Sequence, residues 1–151
     1  MFIDLSLLNF TFSTPPLLIG GKAMEFYGLR KAGADIDFVI RGDDYERLAQ
    51  QYPGHLKDLW GDLGVCIYDF EIWKSIRLYG YEELGGGALE QEGFRVISLE
   101  KLLFLKALAM KIEKYRRDLE LVVERVLRDK YAGWWGGLSP GEQQHYMEQN
   151  K

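Results

Sequence analysis

The sequence has one cysteine and two histidines in 151 residues, and these low counts exclude several classes of protein. Cys66 alone cannot form an internal disulfide or a cysteine zinc cluster. Because His55 and His145 are the only two histidines, a histidine metal site and a Ser-His-Asp triad are both disfavoured. The longest uncharged run, from Asp4 to Lys22, is broken by prolines, and an acid stands where a secretory signal carries a basic residue. We therefore expect a cytoplasmic protein without a membrane span.

The composition predicts one globular domain over residues 1–151, with 47% hydrophobic and 28% charged residues. The net charge of −4 disfavours a dedicated duplex-DNA binder, because such binding depends on neutralising many phosphates. Residues 95–130 nevertheless carry ten basic and six acidic side chains, and between Lys101 and Arg117 Glu113 is the one acid among six cations. This stretch is either a solvated helix face or a cationic wall that faces an anionic substrate.

The spacing of apolar and turn residues predicts strands and helices in the class α+β. The predicted strands are 17–19, Ala34–Ile40, Val65–Trp73 and Phe94–Ile97. The predicted helices are Ala23–Leu29, a segment from an N-cap at Asp43 and Asp44 to about Tyr52, and a segment that begins after the N-cap Ser98. That last segment is either two helices that meet near Lys114 or one helix to about Lys130, and a further helix follows Ser139.

Asp35 and Asp37 are the first candidate metal ligands. Residues i and i+2 of a strand lie on one face about 6.6 Å apart, so their carboxylates can close on one hard cation. Asp is also a poor strand former, and departures from local propensity often mark functional sites. Asp69 and Glu71 have the same spacing, and one of them would complete the oxygen-rich environment that Mg²⁺ prefers. Both pairs can also be interpreted as charges on a solvated strand face.

Gly20 and Gly21 stand between a predicted strand and a predicted helix. Two glycines let the backbone approach a ligand closely, and the start of the next helix offers free N–H groups to phosphate. The same pair is also typical of an ordinary turn. Because no Ser or Thr follows Lys22, the stretch does not match a P-loop, and it does not match G-x-G-x-x-G.

Lys106 is the one charged residue within an otherwise apolar helical window, Leu102–Met110. A helix that is apolar on every other face is expected to be buried. The ammonium group must then reach solvent, pair with an acid, or face a ligand.

Together, these motifs resemble the nucleotidyltransferase fold of the DNA polymerase beta type. That fold has a hydrophobic strand that ends in Gly-Gly, a D-x-D pair some ten residues later, and a third acid on a later strand; here thirteen residues separate Gly21 from Asp35. The stretch GGKAMEFYGLRKAGADIDFVI is similar to small bacterial and archaeal nucleotidyltransferase-like proteins related to abortive-infection toxins. V-I-S-L-E at 96–100, Lys106 and R-D-L at 117–119 resemble their later motifs. The resemblance covers about 17–128.

The resemblance implies a nucleotidyltransferase-type mixed β-sheet with helices packed on one side and a helical C-terminal part. It also implies Mg²⁺-dependent transfer of a nucleoside monophosphate from a nucleoside triphosphate to an acceptor hydroxyl on RNA, protein or a small molecule. The residues that it assigns are the catalytic, metal-binding acids Asp35, Asp37 and Glu71, with Asp69 as the other candidate third acid, and the nucleotide-binding Gly20, Gly21, Lys22 and Lys106. Many relatives have Ser or Thr at the position of Lys22.

Glu71 is preferred to Asp69 as the third acid. It lies nearer the end of the predicted strand, and its neighbours Phe70, Ile72 and Trp73 would exclude water from its surroundings.

Two other functions remain open. The chain could be a binding module that keeps the acids without catalysis, such as one component of a toxin–antitoxin pair with a partner protein. It could also be a glycosyltransferase, because D-x-D binds the metal of a nucleotide-sugar, although 151 residues are few for such a domain.

Overall fold

A computed structural model describes residues 1–149, in which the strands lie mostly in the first two thirds and the last part is helical. The predicted α+β class is confirmed. The strands are β1 (Leu17–Ile19), β2 (Ile36–Val39), β3 (Leu56–Leu59), β4 (Asp62–Ile67), β5 (Phe70–Trp73), β6 (Ser75–Ile76), β7 (Tyr79–Gly80), β8 (Leu89–Glu90) and β9 (Arg95–Val96). The helices are α1 (Gly20–Phe26), α2 (Gly42–Gln51), α3 (Tyr81–Leu84), α4 (Leu99–Leu108), α5 (Glu113–Lys130), α6 (Ala132–Gly136) and α7 (Pro140–Gln149).

Seven strands form one mixed sheet in the order β3-β4-β5-β2-β1-β9-β8. Strand β1 is antiparallel to β2 and parallel to β9, whereas β2 is parallel to β5. In an antiparallel pair, the end of one strand lies beside the start of the other. The end of β1 therefore meets the starts of β2 and β5 at one end of the sheet. The glycines and the acids singled out in the sequence are brought together there.

The middle of the sheet is buried, and its apolar face forms much of the core. Leu18, Phe38 and Ile72 are fully buried, and the rings of Phe38 and Phe70 stack with centroids 6.4 Å apart. Because successive side chains of a strand point to opposite faces, the residues between these apolar ones face the other side. That other side carries the polar site.

The single strand predicted over Val65–Trp73 is wrong, because the chain reverses at Tyr68 and Asp69. Tyr68 has a left-handed backbone with φ 54°, and the two flanking segments pair as the antiparallel strands β4 and β5. A left-handed turn is usually marked by Gly or Asn. Here the turn is made from Tyr-Asp within a continuous alternating pattern, so the sequence offers no turn signal. The alternation therefore does not place Asp69 on the face of Glu71.

The strand predicted over Ala34–Ile40 is shorter than expected, because β2 begins at Ile36 and Asp35 precedes it. The helix predicted from Ala23 begins three residues earlier, at Gly20, and ends at Phe26. The two glycines are therefore the first residues of α1 rather than a turn before it.

The predicted N-cap of α2 is also wrong. Arg41 occupies the cap position without a side-chain cap bond. Asp44 lies in the first turn of the helix, is fully buried, and accepts hydrogen bonds from the backbone N–H groups of Ser13 and Thr14. Its carboxylate thus anchors the N-terminal segment to α2 instead of capping the helix, a long-range contact that local sequence does not specify.

The C-terminal part is helical, as expected. Ser98 caps α4 by accepting a hydrogen bond from the N–H of Lys101. Residues 109–112 separate α4 from α5, which settles the open joint in favour of two helices. The helix after Ser139 is α7, and residues 150 and 151 lie outside the described part. Among residues 1–149, no helix is both long enough and apolar enough to cross a membrane.

Candidate active site

Three carboxylates form the acidic side of the site. Asp37 of β2 and Glu71 of β5 are paired in register on adjacent parallel strands, so their side chains emerge beside each other on one face. Asp35 is exposed and lies just before β2. Burial raises the pKa of Asp37 to about 8, with further contributions from a hydrogen bond to Glu71 and from the negative charges of Glu71 and Asp35. The cluster therefore holds more negative charge than its surroundings can stabilise.

Gly20 brings the backbone against this cluster. Its φ of +67° is a left-handed conformation that favours glycine, and a Cβ at this position would lie 2.5 Å from Oδ2 of Asp37. No other residue can therefore occupy this position without displacing the carboxylate. The chain passes directly from Gly20 into the first turn of α1, so backbone N–H groups lie next to the acids.

A second cluster, of opposite net charge, lies near the acids, and the guanidinium of Arg30 in it lies beside Gly21. The guanidinium of Arg30 makes two hydrogen bonds to Asp118, of 2.6 and 2.8 Å, and Nζ of Lys106 lies 2.8 Å from Oδ2 of Asp118. Lys106 and Asp118 are only 5% and 2% exposed, and the ammonium group lies 4.9 Å from the ring centre of Tyr115. This buried cluster of two cations and one anion has a net charge of +1.

Burial acts differently on the pKa values of Lys106 and Asp118, the two buried residues of this cluster. Burial lowers the pKa of Lys106, although Asp118 opposes the shift. Burial alone would raise the pKa of Asp118, but hydrogen bonds from Arg30 and Lys106 hold it below its ordinary value. Of the three fates expected for Lys106, the structure shows pairing with an acid.

A cavity of about 420 Å³, the central cavity, lies between the polar face of the sheet and helices α4 and α5. Its volume is in the range of small-ligand pockets. Carboxylates beside glycine N–H groups, with cations that line the same cavity, suit a ligand that contains phosphates and a bound cation. The polar residues that line it include Gly20, Gly21, Arg30, Asp35, Asp37, Asp62, Glu71, Arg77, Lys106, Lys114 and Tyr115.

The structure brings six of the eight candidate residues together in this cavity and leaves two outside. Lys22 is half-buried and does not line it. Asp69 is exposed in the β4–β5 turn and does not line it either, although its carbonyl oxygen accepts a 2.8 Å hydrogen bond from the N–H of Ile36. Of the two candidate third acids, Glu71, which the sequence analysis preferred, is the one beside Asp37.

Asp35, Asp37 and Glu71 fit a hard divalent cation by their chemistry, because all three donors are carboxylate oxygens. The raised pKa of Asp37 indicates that the cluster takes up positive charge, a proton in the absence of a cation. Within residues 1–149, however, no group of three or more His, Cys, Asp or Glu side chains is already arranged as a metal site. The side chains would have to adjust to close on an ion.

Four polar lining residues were missed by the sequence analysis: Arg30, Asp62, Arg77 and Tyr115. Arg30 stands inside the glycine–acid stretch and could have been noticed there as a cation between the two motifs. The others reach the cavity through tertiary packing and carry no local signal. No family model matches the chain, and no curated protein or solved structure is similar enough to match it.

Proposed function

We propose that the protein is a metal-dependent nucleotidyltransferase with a nucleotidyltransferase-type mixed sheet, which moves a nucleoside monophosphate from a nucleoside triphosphate to an acceptor hydroxyl. The observation that carries this proposal is the contact of Gly20 with the acid pair. A glycine backbone, required by its φ and by the 2.5 Å approach, lies against Asp37 and in one cavity with Glu71. Phosphate oxygens and a cation are the chemistry that such a junction favours.

The side chains then divide into three roles. Asp35, Asp37 and Glu71 would hold Mg²⁺, which when bound supplies charge neutralisation for the reacting phosphates. The backbone at Gly20 and Gly21 would bind the triphosphate. The cluster of Arg30, Lys106 and Asp118, with its net charge of +1, would complement the negative charge that accumulates on the leaving group.

The reaction itself is a displacement at phosphorus. The acceptor oxygen bonds to the α-phosphorus, the bond from that phosphorus to the bridging oxygen breaks, and pyrophosphate leaves with the electron pair. The proton of the acceptor hydroxyl passes to a carboxylate, for which Glu71 is best placed because it lies on the side of Asp37 away from the glycines. A triphosphate substrate and Mg²⁺ are both consistent with a cytoplasmic protein.

One observation favours a second candidate, a binding module without catalysis. The carboxyl groups of Asp37 and Glu71 lie close enough for Glu71 to raise the pKa of Asp37, and no metal-binding group is already assembled in the described residues. Such a module, for example one half of a toxin–antitoxin pair, would use the cavity or its rim to bind a partner protein. It would not bind nucleotide in a Mg²⁺-dependent way.

A transfer screen tests the proposal. Labelled nucleoside triphosphates are incubated with RNA, protein and small-molecule acceptors, with and without Mg²⁺, using the wild type, Asp37→Asn and the control Asp69→Asn. We expect Mg²⁺-dependent labelling of one acceptor class by the wild type and the control, and none by Asp37→Asn. Labelling by Asp37→Asn at the wild-type rate would overturn the proposal, and no labelling together with no Mg²⁺-dependent nucleotide binding would favour the binding module.

A further inference from the structure

The turn between β6 and β7 has an unusual backbone and faces the central cavity. Arg77 and Leu78 are consecutive non-glycine residues with left-handed φ values of 51° and 68°. Such conformations are sparsely populated by L-residues and persist only where surrounding contacts enforce them. The contacts that enforce this turn can be identified.

Asp62 holds the turn in this conformation. Its carboxylate accepts hydrogen bonds from the hydroxyl of Ser75 at 2.7 Å, from the backbone N–H of Arg77 at 2.7 Å and from that of Leu78 at 2.9 Å. The turn also packs against the β3–β4 connection, because a Cβ at Gly61 would lie 3.2 Å from Cδ2 of Leu78. The position of the Arg77 backbone is therefore fixed from two sides.

The guanidinium of Arg77 differs from two other cations of the central cavity, Arg30 and Lys106. Lys114 also lines the cavity, and its Nζ lies 5.9 Å from the ring centre of Tyr115. Arg30 and Lys106 are both paired with Asp118. Arg77 also lines the cavity, but its side chain forms no ion pair or hydrogen bond with any residue from 1 to 149. A guanidinium offers up to five donors in a planar fork that matches phosphate and carboxylate. This side chain is therefore available to a ligand.

The strand order places Arg77 at the opposite side of the acids from the glycines. Gly20 follows β1, Asp37 and Glu71 lie on β2 and β5, and Asp62, which holds the Arg77 turn, begins β4. Neighbouring strands are about 4.8 Å apart, so β1 and β4 are separated by roughly 14 Å across the sheet. Gly64 pairs with Trp73, so Asp62 lies beside Ser75, roughly 13 Å along β5 from Glu71. In a displacement at phosphorus, the attacking and leaving groups lie on opposite sides of the reacting atom. A triphosphate held at the glycines therefore has its attacking acceptor on the β5 side of the acids. An acceptor that extends along the cavity past Trp73 reaches Arg77.

We propose that Arg77 is a specificity-determining residue that binds a phosphate carried by the acceptor at some distance from its reacting hydroxyl, and that Asp62 is the positioning residue that aims it. The assignment of the two sides rests on the proposed nucleotidyl transfer; anion binding by Arg77 does not. The ligand class is a phosphate-bearing hydroxyl compound, such as the ribose end of an oligonucleotide or a sugar phosphate.

Equilibrium binding with defined probes tests this inference. The probes are a dinucleoside monophosphate, ribose 5-phosphate and unphosphorylated adenosine, each titrated into the full chain with a non-hydrolysable nucleoside triphosphate and Mg²⁺ present. The variants are Arg77→Ala, Arg77→Lys, Asp62→Ala and the control Arg128→Ala, which removes the same charge from an exposed position outside the cavity. Circular dichroism checks that each variant is folded, and the affinity for the triphosphate analogue is measured separately.

We expect Arg77→Ala and Asp62→Ala to weaken a phosphate-bearing probe at least about tenfold, the effect of losing charge-assisted hydrogen bonds. Arg77→Lys should lie between Arg77→Ala and wild type, and Arg128→Ala should match wild type. Affinities for adenosine and the triphosphate analogue should stay within about twofold. Weaker binding of the dinucleoside monophosphate by the variants would identify an oligonucleotide end as the ligand, and weaker binding of ribose 5-phosphate would identify a sugar phosphate.

Three results would overturn the inference. The wild type could show no preference for phosphate-bearing probes over adenosine, or Arg77→Ala could bind these probes as well as the wild type does. Alternatively, Arg77→Ala could lose affinity for the triphosphate analogue alone, which would place Arg77 on the triphosphate side of the acids. A wild type that binds phosphate-bearing probes through Arg77 but does not bind the triphosphate analogue would refute the proposed function and leave the anion site standing.

Discussion

Replacing Asp37 by Asn should stabilise the protein in the absence of metal. The pKa of Asp37 is raised from 3.8 to about 8, mainly by burial and then by Glu71 and Asp35. At pH 7 the unfolded chain carries an ionised Asp37, whereas the folded protein must either bind a proton there or keep a buried charge. This difference lowers the free energy of unfolding at pH 7 by at most about 4 kcal/mol, and screening by water at the mouth of the cavity reduces the effect to about 2 kcal/mol.

An Asn side chain removes this cost and keeps the local hydrogen bond. Its amide N–H group can donate to the carboxylate of Glu71, as the protonated Asp37 does. For a chain of this size, about 2 kcal/mol corresponds to a rise in Tm of about 4–8 °C. Thermal unfolding at pH 7 in EDTA measures it, with Asp69→Asn as the control because Asp69 is exposed in a turn. The control should leave Tm within about 1 °C of wild type.

The pH dependence of the stability tests independently whether Asp37 destabilises the folded protein at pH 7. Because the folded protein keeps the Asp37 proton up to about pH 8 and the unfolded chain loses it near pH 3.8, the folded state binds more protons throughout this window. The contribution of this group to stability is therefore fully present below about pH 4 and is lost as the pH rises to about 8. Asp37→Asn should flatten that decline between pH 5 and 8. A variant that is less stable than wild type at pH 7, or that keeps the same slope, would refute the reasoning.

Three further variants test other parts of the site. Gly20→Ala should lower the free energy of unfolding, measured in urea melts, by about 2 kcal/mol or more. Gly28 has a similar φ of +71° but open space around it, so Gly28→Ala should lower this free energy only by the backbone strain of about 1 kcal/mol. Equal losses in the two variants would show that the close approach of Gly20 to Asp37 is unimportant. Asp118→Ala should destabilise by about 3–5 kcal/mol, because it leaves buried cations without their partner, and a loss below about 1 kcal/mol would contradict this. Glu71→Gln should reduce turnover by about 10² or more in a transfer assay while Asp69→Asn is nearly silent; the reverse ranking would move the third acid to Asp69.

The parts of the fold that local patterns specify were predictable. The buried run before Gly20, the helical cap at Ser98 and the helical C-terminal part all follow from apolar spacing and capping chemistry. The candidate acids Asp35 and Asp37 stand out in the sequence because Asp opposes the strand propensity of the residues around it. These features depend on residues that are close together in the sequence, so a single amino-acid sequence is enough to predict them.

The parts that depend on long-range contacts were not predictable. The left-handed turn at Tyr68 contains neither Gly nor Asn, so nothing local interrupts the alternation of β4 and β5. Asp44 resembles a helix cap, but its partners are backbone groups about thirty residues earlier. Likewise, the role of Asp62 in holding Arg77 depends on a turn fifteen residues away.

Calorimetric titration of a non-hydrolysable nucleoside triphosphate into the metal-free protein, with and without Mg²⁺, tests the central claim most directly. The account predicts binding that requires Mg²⁺ in the wild type and is retained in Asp69→Asn. The same binding should be lost in Asp37→Asn, even though that variant is at least as stable as the wild type. Binding that is absent from the wild type, or that is independent of Mg²⁺ and unchanged in Asp37→Asn, would contradict it.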